Sequence, residues 1–96
     1  MPAAEMRQIV VDGKVWRGER YPYRSCSEWL IRGPFKGGTC WKRDGFSPIH
    51  VKGHVASFKV VGKVARKTNP KFSKKAEGEA KMAWRPFAEA LGYEVV

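Results

Sequence analysis

Apolar residues along this chain fall first into short, strand-length blocks and at the end into helical spacing. "RQIVV" and "KVWRG" are two such blocks, joined at Asp12-Gly13, a pair suited to a tight hairpin turn whose central residues need positive φ. "CSEWLIR" and "TCWKRD" flank the glycine-rich "GPFKGG" and predict a second hairpin, closed by Asp44-Gly45 and "FSP". From Val51 to Arg66 the chain is rich in Val, Phe and Ala, interrupted mainly by Gly53 and Gly62. That stretch reads as one bent strand or as two strands meeting near Gly62. Further on, Ala76, Ala80, Ala83, Trp84, Phe87, Ala88 and Leu91 recur at i, i+4, i+7 and i+8, which marks one apolar helix face. Ser73 suits the N-cap and Gly92 the C′ position, while Pro86, lacking an N–H, kinks the helix or splits it into 74–84 and 86–91. "YEVV" finishes as a short edge strand.

The expected fold class is α+β: a small, twisted, mainly antiparallel sheet of about four to five strands with one kinked C-terminal helix packed on one face. Ninety-six residues suit a single domain with one modest core. The chain starts without the charged segment, apolar run and cleavage site of a secretory leader, and no apolar run nears the roughly 18 residues of a membrane span. An intracellular, cytoplasmic protein with no membrane partner is expected. Cys26 and Cys40 are too few for a disulfide framework, and in the predicted hairpin Ile31, not Cys26, faces Cys40. Both read as reduced, small, buried side chains.

Charge changes the picture most. Nineteen Lys and Arg stand against nine Asp and Glu, a net charge of +10. Such an excess repels itself unless a polyanion or counterions neutralise it, and nucleic acid is the commonest intracellular polyanion. The excess is also localised: no acidic residue lies between Asp44 and Glu77, where eight basic ones do, among them Lys52, Lys59, Lys63, Arg66, Lys67, Lys71, Lys74 and Lys75. On the predicted helix, Lys74, Gly78, Lys81 and Arg85 share a stripe away from the apolar face, so that long cations could reach phosphates beside a glycine that leaves the backbone open. The competing reading is a solvated face neutralised by Glu77 and Glu79.

Aromatic and basic residues sit side by side in the strands, as in Trp16-Arg17, Trp41-Lys42-Arg43 and Phe58-Lys59. Alternation sends neighbours to opposite faces, so Trp29, Trp41, Phe58 and Trp84 are expected in the core and only Tyr21, Tyr23 and Phe35 to be free to stack on bases. Cys26, Cys40, His50 and His54 make only a weak zinc signal, since thirteen residues lie between the cysteines rather than the two to four of structural sites. No cofactor is expected. "EAK" at Glu79 to Lys81 is half of a nuclease-like pattern, with Asp44 alone as a partner carboxylate.

From Ser47 onward the chain resembles the C-terminal half of the double-stranded RNA-binding domain. "SPIH" is similar to that family's "GPxH" loop, "FKVVGKV" to its central strands, and "SKKAEGEAKMA" to its "SKKxAxxxAA" helix start. The resemblance implies that His50 touches a minor-groove sugar and that Lys74 and Lys75 span phosphates across the major groove. The expected function is a small, basic, non-catalytic nucleic-acid-binding protein, with duplex RNA or DNA favoured as ligand. His50, Lys63, Arg66, Lys67, Lys71, Lys74, Lys75, Lys81 and Arg85 are the expected contacts. A viral or mobile-element modulator that docks on an acidic face of a host protein is the alternative, and a metal-dependent nuclease a minor one.

Overall fold

The computed structural model describes residues 5–68 and 82–96. Six strands follow one another both in sequence and in space: β1 (Glu5–Val11), β2 (Lys14–Pro22), β3 (Ser27–Phe35), β4 (Ala56–Val61), β5 (Val64–Lys67) and β6 (Glu94–Val95). Neighbours from β1 to β5 are antiparallel, and β6 adds to β5 in parallel. Strands make up 49% of the described residues, which form a curled six-strand half-barrel with one short helix. The expected sheet of four to five strands under a kinked helix is therefore incorrect.

Two local causes account for the difference. The first is that "CSEWLIR" does not fold back on "TCWKRD". It runs on through Gly33 and Pro34 to Phe35 as β3 and pairs with β2 on one edge and β4 on the other, which places Trp29 opposite Phe58 and Ile31 opposite Ala56. "TCWKRD" offers only Cys40 and Trp41 as apolar partners, whereas β4 offers Ala56, Phe58 and Val60 on one face. Residues 39–55 instead form a loop with a single bridge between Trp41 and Pro48. The stretch after Val51 does divide at Gly62, giving β4 and β5.

The second cause is Pro86. The helix α1 spans Arg85–Ala90, and Pro86 lies in its first turn, where a missing N–H costs nothing. Pro86 thus starts a helix rather than kinking one, close to the second piece, 86–91, of the expected split. Met82 to Trp84 are not helical, and the Met82 N–H is donated to the Val55 carbonyl at 2.8 Å. At the other end Tyr93 N–H bonds the Ala88 carbonyl and Gly92 N–H that of Glu89, with Gly92 at φ 93°, a Schellman ending that turns the chain into β6. Ser73, Ala76 and Ala80 lie outside the described residues.

The inner face of the half-barrel holds the core. Ile9, Trp16, Trp29, Ile31, Ala56, Phe58, Val60 and Ala65 pack there against Phe87, Ala88 and Leu91 of α1. Phe87 meets Trp16 edge-on with ring centres 4.9 Å apart, and Trp84 stacks on Phe58 at 5.7 Å. The Trp29 indole donates to the Tyr93 hydroxyl at 3.0 Å, so its one polar atom is satisfied. Gly18 is required beneath it, since a Cβ there would stand 2.9 Å from the Trp29 ring. Trp29 and Phe58 are buried as expected, whereas Trp41 and Trp84 are only half-buried.

Candidate functional site

Alternation places a second set of residues on the outer face: Arg17, Glu19 and Tyr21 on β2, Glu28 and Arg32 on β3, Ser57 and Lys59 on β4, and Arg66 on β5. Arg17 and Arg32 face each other directly across β2 and β3, an arrangement that is repulsive by itself. Glu19 resolves it. Its Oε2 accepts from the Nε atoms of Arg17 and Arg32, each at 3.0 Å, and lies 2.9 Å from Arg17 Nη2, while Oε1 accepts from the Tyr21 hydroxyl at 3.1 Å. Burial works to raise the Glu19 pKa. The bonds and charges of the two arginines outweigh it and hold the carboxyl below its ordinary value.

Arg17 also grips the 39–55 loop. Its Nη1 donates to the carbonyls of Cys40 at 3.3 Å and Ile49 at 2.9 Å, and its guanidinium lies over the Phe35 ring. Arg32 holds the same loop at the Gly53 carbonyl. This cluster is a structural clamp, with Arg17 and Glu19 buried and Arg32 at its partly exposed edge.

One row further along the outer face, Tyr21, Glu28, Lys59 and Arg66 lie side by side across four strands. Lys59 faces Arg66 as Arg17 faces Arg32, but among the described residues no carboxylate sits between them. Glu28 is on the far side of Lys59 and is buried, and its Oε2 has no hydrogen-bond partner among the described residues. Burial raises the Glu28 pKa against the Thr68 side chain and the charge of Lys59, which act to lower it. Folding therefore favours protonated Glu28: that contribution is fully present below the pKa of a free glutamate and is lost as pH rises through the folded value. Glu28→Gln, which cannot ionise, is expected to be more stable than the native chain at neutral pH, the advantage shrinking towards about pH 4. Urea unfolding of both proteins across that range checks this, and a pH-independent difference would contradict it.

The expected contact residues divide between elements. Lys63 is in the β4–β5 turn, and Arg66 and Lys67 are on β5, all exposed, Arg66 on the outer face and Lys67 on the opposite one. With half-buried Lys59 they put four cations on one hairpin. His50 is exposed in the 39–55 loop, and Arg85 opens α1 with its guanidinium 4.9 Å above the Trp84 ring. Lys71, Lys74, Lys75 and Lys81 lie outside the described residues. Ion pairs among the described residues join Arg17 and Arg32 to Glu19 and Arg20 to Glu5, and none involves Lys59, Lys63, Arg66 or Lys67.

Of the three aromatics expected to be free, Tyr23 is exposed, at 46%, and the other two are not. Phe35 is buried and Tyr21 is half-buried against Glu19, whereas Phe46, in the 39–55 loop, is 81% exposed. The missed clamp did leave a trace: Arg17, Glu19 and Arg32 occupy alternate positions that on a one-sided sheet would face solvent, yet only strand pairing brings them together.

Cys40 is fully buried, and burial pushes its thiol pKa up, whereas Cys26 lies half-exposed in a shallow depression with Arg20 and Tyr23. Both thiols are free. A thiol reagent is expected to modify Cys26 alone in the folded protein and both residues after denaturation, as mass spectrometry of the adducts would show. Among the described residues no three His, Cys, Asp or Glu converge on a point where they could hold a metal ion. No described helix is long and apolar enough to cross a membrane. Neither a protein-family model, nor a curated protein, nor a solved structure matches the chain.

Proposed function

We propose that this chain binds nucleic acid through the β4–β5 hairpin and performs no chemistry on it. The observation that carries the reading is the pair Lys59 and Arg66, which face each other across β4 and β5 with no carboxylate between them among the described residues, buried Glu28 lying on the other side of Lys59. Like charges directly opposite destabilise a sheet by roughly 0.2–1 kcal/mol. On the same face the protein neutralises an identical pair, Arg17 and Arg32, with Glu19. Leaving the second pair open, with Lys63 and Lys67 on the same hairpin, keeps a concentrated positive charge for an external polyanion, in a chain of net charge +10.

Fluorescence anisotropy with labelled single- and double-stranded RNA and DNA over a range of salt concentrations tests it. Four phosphate contacts give a log–log salt slope of about −3 to −4, and non-specific binding of this kind has a Kd of roughly 1–100 µM at physiological salt. Binding that is insensitive to salt, or no binding to any of these ligands at low salt, would defeat the proposal. An acidic protein surface would then be the partner to seek.

A further inference from the structure

Phe46 is the most exposed large apolar side chain among the described residues, at 81%, and its backbone is at φ 58°. A bulky residue in the left-handed region is an outlier that costs roughly 1–2 kcal/mol, and such strain persists only where the surroundings impose it. Here they do. The loop is pinched by Lys42 N–H donating to the Ser47 carbonyl at 2.6 Å, by the Trp41–Pro48 bridge and by Ile49 N–H donating to the Cys40 carbonyl at 3.0 Å. Its base is held from below by Arg17, which bonds the carbonyls of both arms, and by Gln8, whose side-chain oxygen accepts the Cys40 N–H. A ring that gains nothing from burial is thus held out at the tip of a braced loop, next to exposed Lys42 and Arg43, with Asp44 the one acidic residue beside it.

We propose that Phe46 is a stacking platform for an unpaired nucleobase, with Lys42 and Arg43 holding the flanking phosphates. This rests on the nucleic-acid reading and specifies its ligand class: strands with unstacked bases rather than continuous duplex. A nucleobase is the occupant that a single ring with cationic neighbours suits, because every base offers a π-face and sits next to phosphates. A membrane anchor would need more apolar area than one Phe amid Lys42, Arg43, Asp44 and Ser47. A protein hot spot would need a surrounding packed patch. The loop is anchored through Arg17 and Arg32 to the outer face of the sheet, the face that presents Lys59 and Arg66.

The test compares native protein, Phe46→Ala, Phe46→Trp and Phe46→Gly by anisotropy with unstructured single strands of about 20 nucleotides and duplexes of the same length. Base–aromatic stacking predicts that Phe46→Ala binds single strands about tenfold or more weakly, with duplex affinity within about twofold and the salt slope unchanged. Phe46→Trp restores single-strand affinity. Phe46→Gly loses it as Phe46→Ala does while its Tm is unchanged or higher, since glycine accepts φ 58° without strain, which separates binding from folding. Single-strand affinity of Phe46→Ala within about twofold of native, or equal losses on both ligands, overturns the proposal but leaves the hairpin reading standing. If the native protein binds neither ligand, both fall. If Phe46→Ala instead loses affinity for phosphatidylserine vesicles and not for single strands, the loop is a membrane contact and the proposal is overturned.

Discussion

Replacing Glu19 with glutamine is expected to destabilise the domain by about 3–5 kcal/mol at neutral pH, a large part of the roughly 5–15 kcal/mol that holds a small domain together. The reason is what remains behind. Arg17 is almost wholly buried and faces Arg32 across the β2–β3 pair, so without the carboxylate two guanidinium groups confront each other with no counterion. The amide oxygen of glutamine can accept a hydrogen bond but carries no charge. The loop should loosen as well, because the clamp fixes the residues that grip Cys40, Ile49 and Gly53. Glu5→Gln makes the informative control: it breaks the Arg20–Glu5 pair at 2.6 Å, but both partners are about 40% exposed, and an exposed pair is worth roughly 0–1 kcal/mol.

The same substitution has a pH signature. The Glu19 carboxyl titrates below its ordinary value in the fold, so its stabilisation is present above the pKa of a free glutamate and is lost as pH falls through the folded value. The gap between native protein and Glu19→Gln should narrow in acid, as the gap for Glu28→Gln does, although the two start with opposite signs at neutral pH. Urea unfolding at a series of pH values reads both. A Glu19→Gln protein within 1 kcal/mol of native at neutral pH, on the scale of an exposed pair, would mean that the clamp is not held by charge.

Neutralising the β4–β5 hairpin is expected to have the largest effect on binding. Lys63→Gln, Arg66→Gln and Lys67→Gln together remove three phosphate contacts, which takes about 2.7 off the magnitude of the log–log salt slope. The triple variant should bind about thirtyfold or more weakly at low salt, with the deficit shrinking as salt is raised. Folding should not suffer. All three side chains are exposed, and removing the Arg66 charge relieves its repulsion with Lys59, so the variant is expected to unfold at the same or a higher urea concentration. A parallel change of Lys14, exposed beside the β1–β2 turn, to glutamine should lower the slope by no more than one contact. If the triple variant keeps the native affinity and slope, the ligand is held elsewhere on the molecule.

Features that depend on a residue and its immediate neighbours were legible in the chain. Asp12 and Gly13 do take positive φ at the β1–β2 turn, Gly62 does separate two strands, and Gly92 does end a helix in the left-handed conformation. Each follows from the sterics of a few consecutive residues, which no partner is needed to decide. For Pro86 the two expected outcomes part: the helix is not kinked, and Arg85–Ala90 lies close to the second piece, 86–91, of the expected split, while Met82 to Trp84 are not helical and the Met82 N–H goes to Val55.

What the sequence by itself determined is thus the turn chemistry, the strand-forming character of the first half and the surplus of positive charge in its second half. Which strand pairs with which was decided by tertiary structure, because "CSEWLIR" satisfies the strand pattern against any neighbour, and in the fold it is β4 that sets Phe58 against Trp29 and Ala56 against Ile31. Pairing then settled the charges. Arg17 and Arg32 are far apart in the chain and carry the same charge as Lys59 and Arg66, yet the fold sets Glu19 between the first two and no described carboxylate between the second. Phe46 follows the same logic in reverse: an aromatic side chain ordinarily buries itself, and only a loop pinned at its base by Arg17 holds this one in solvent.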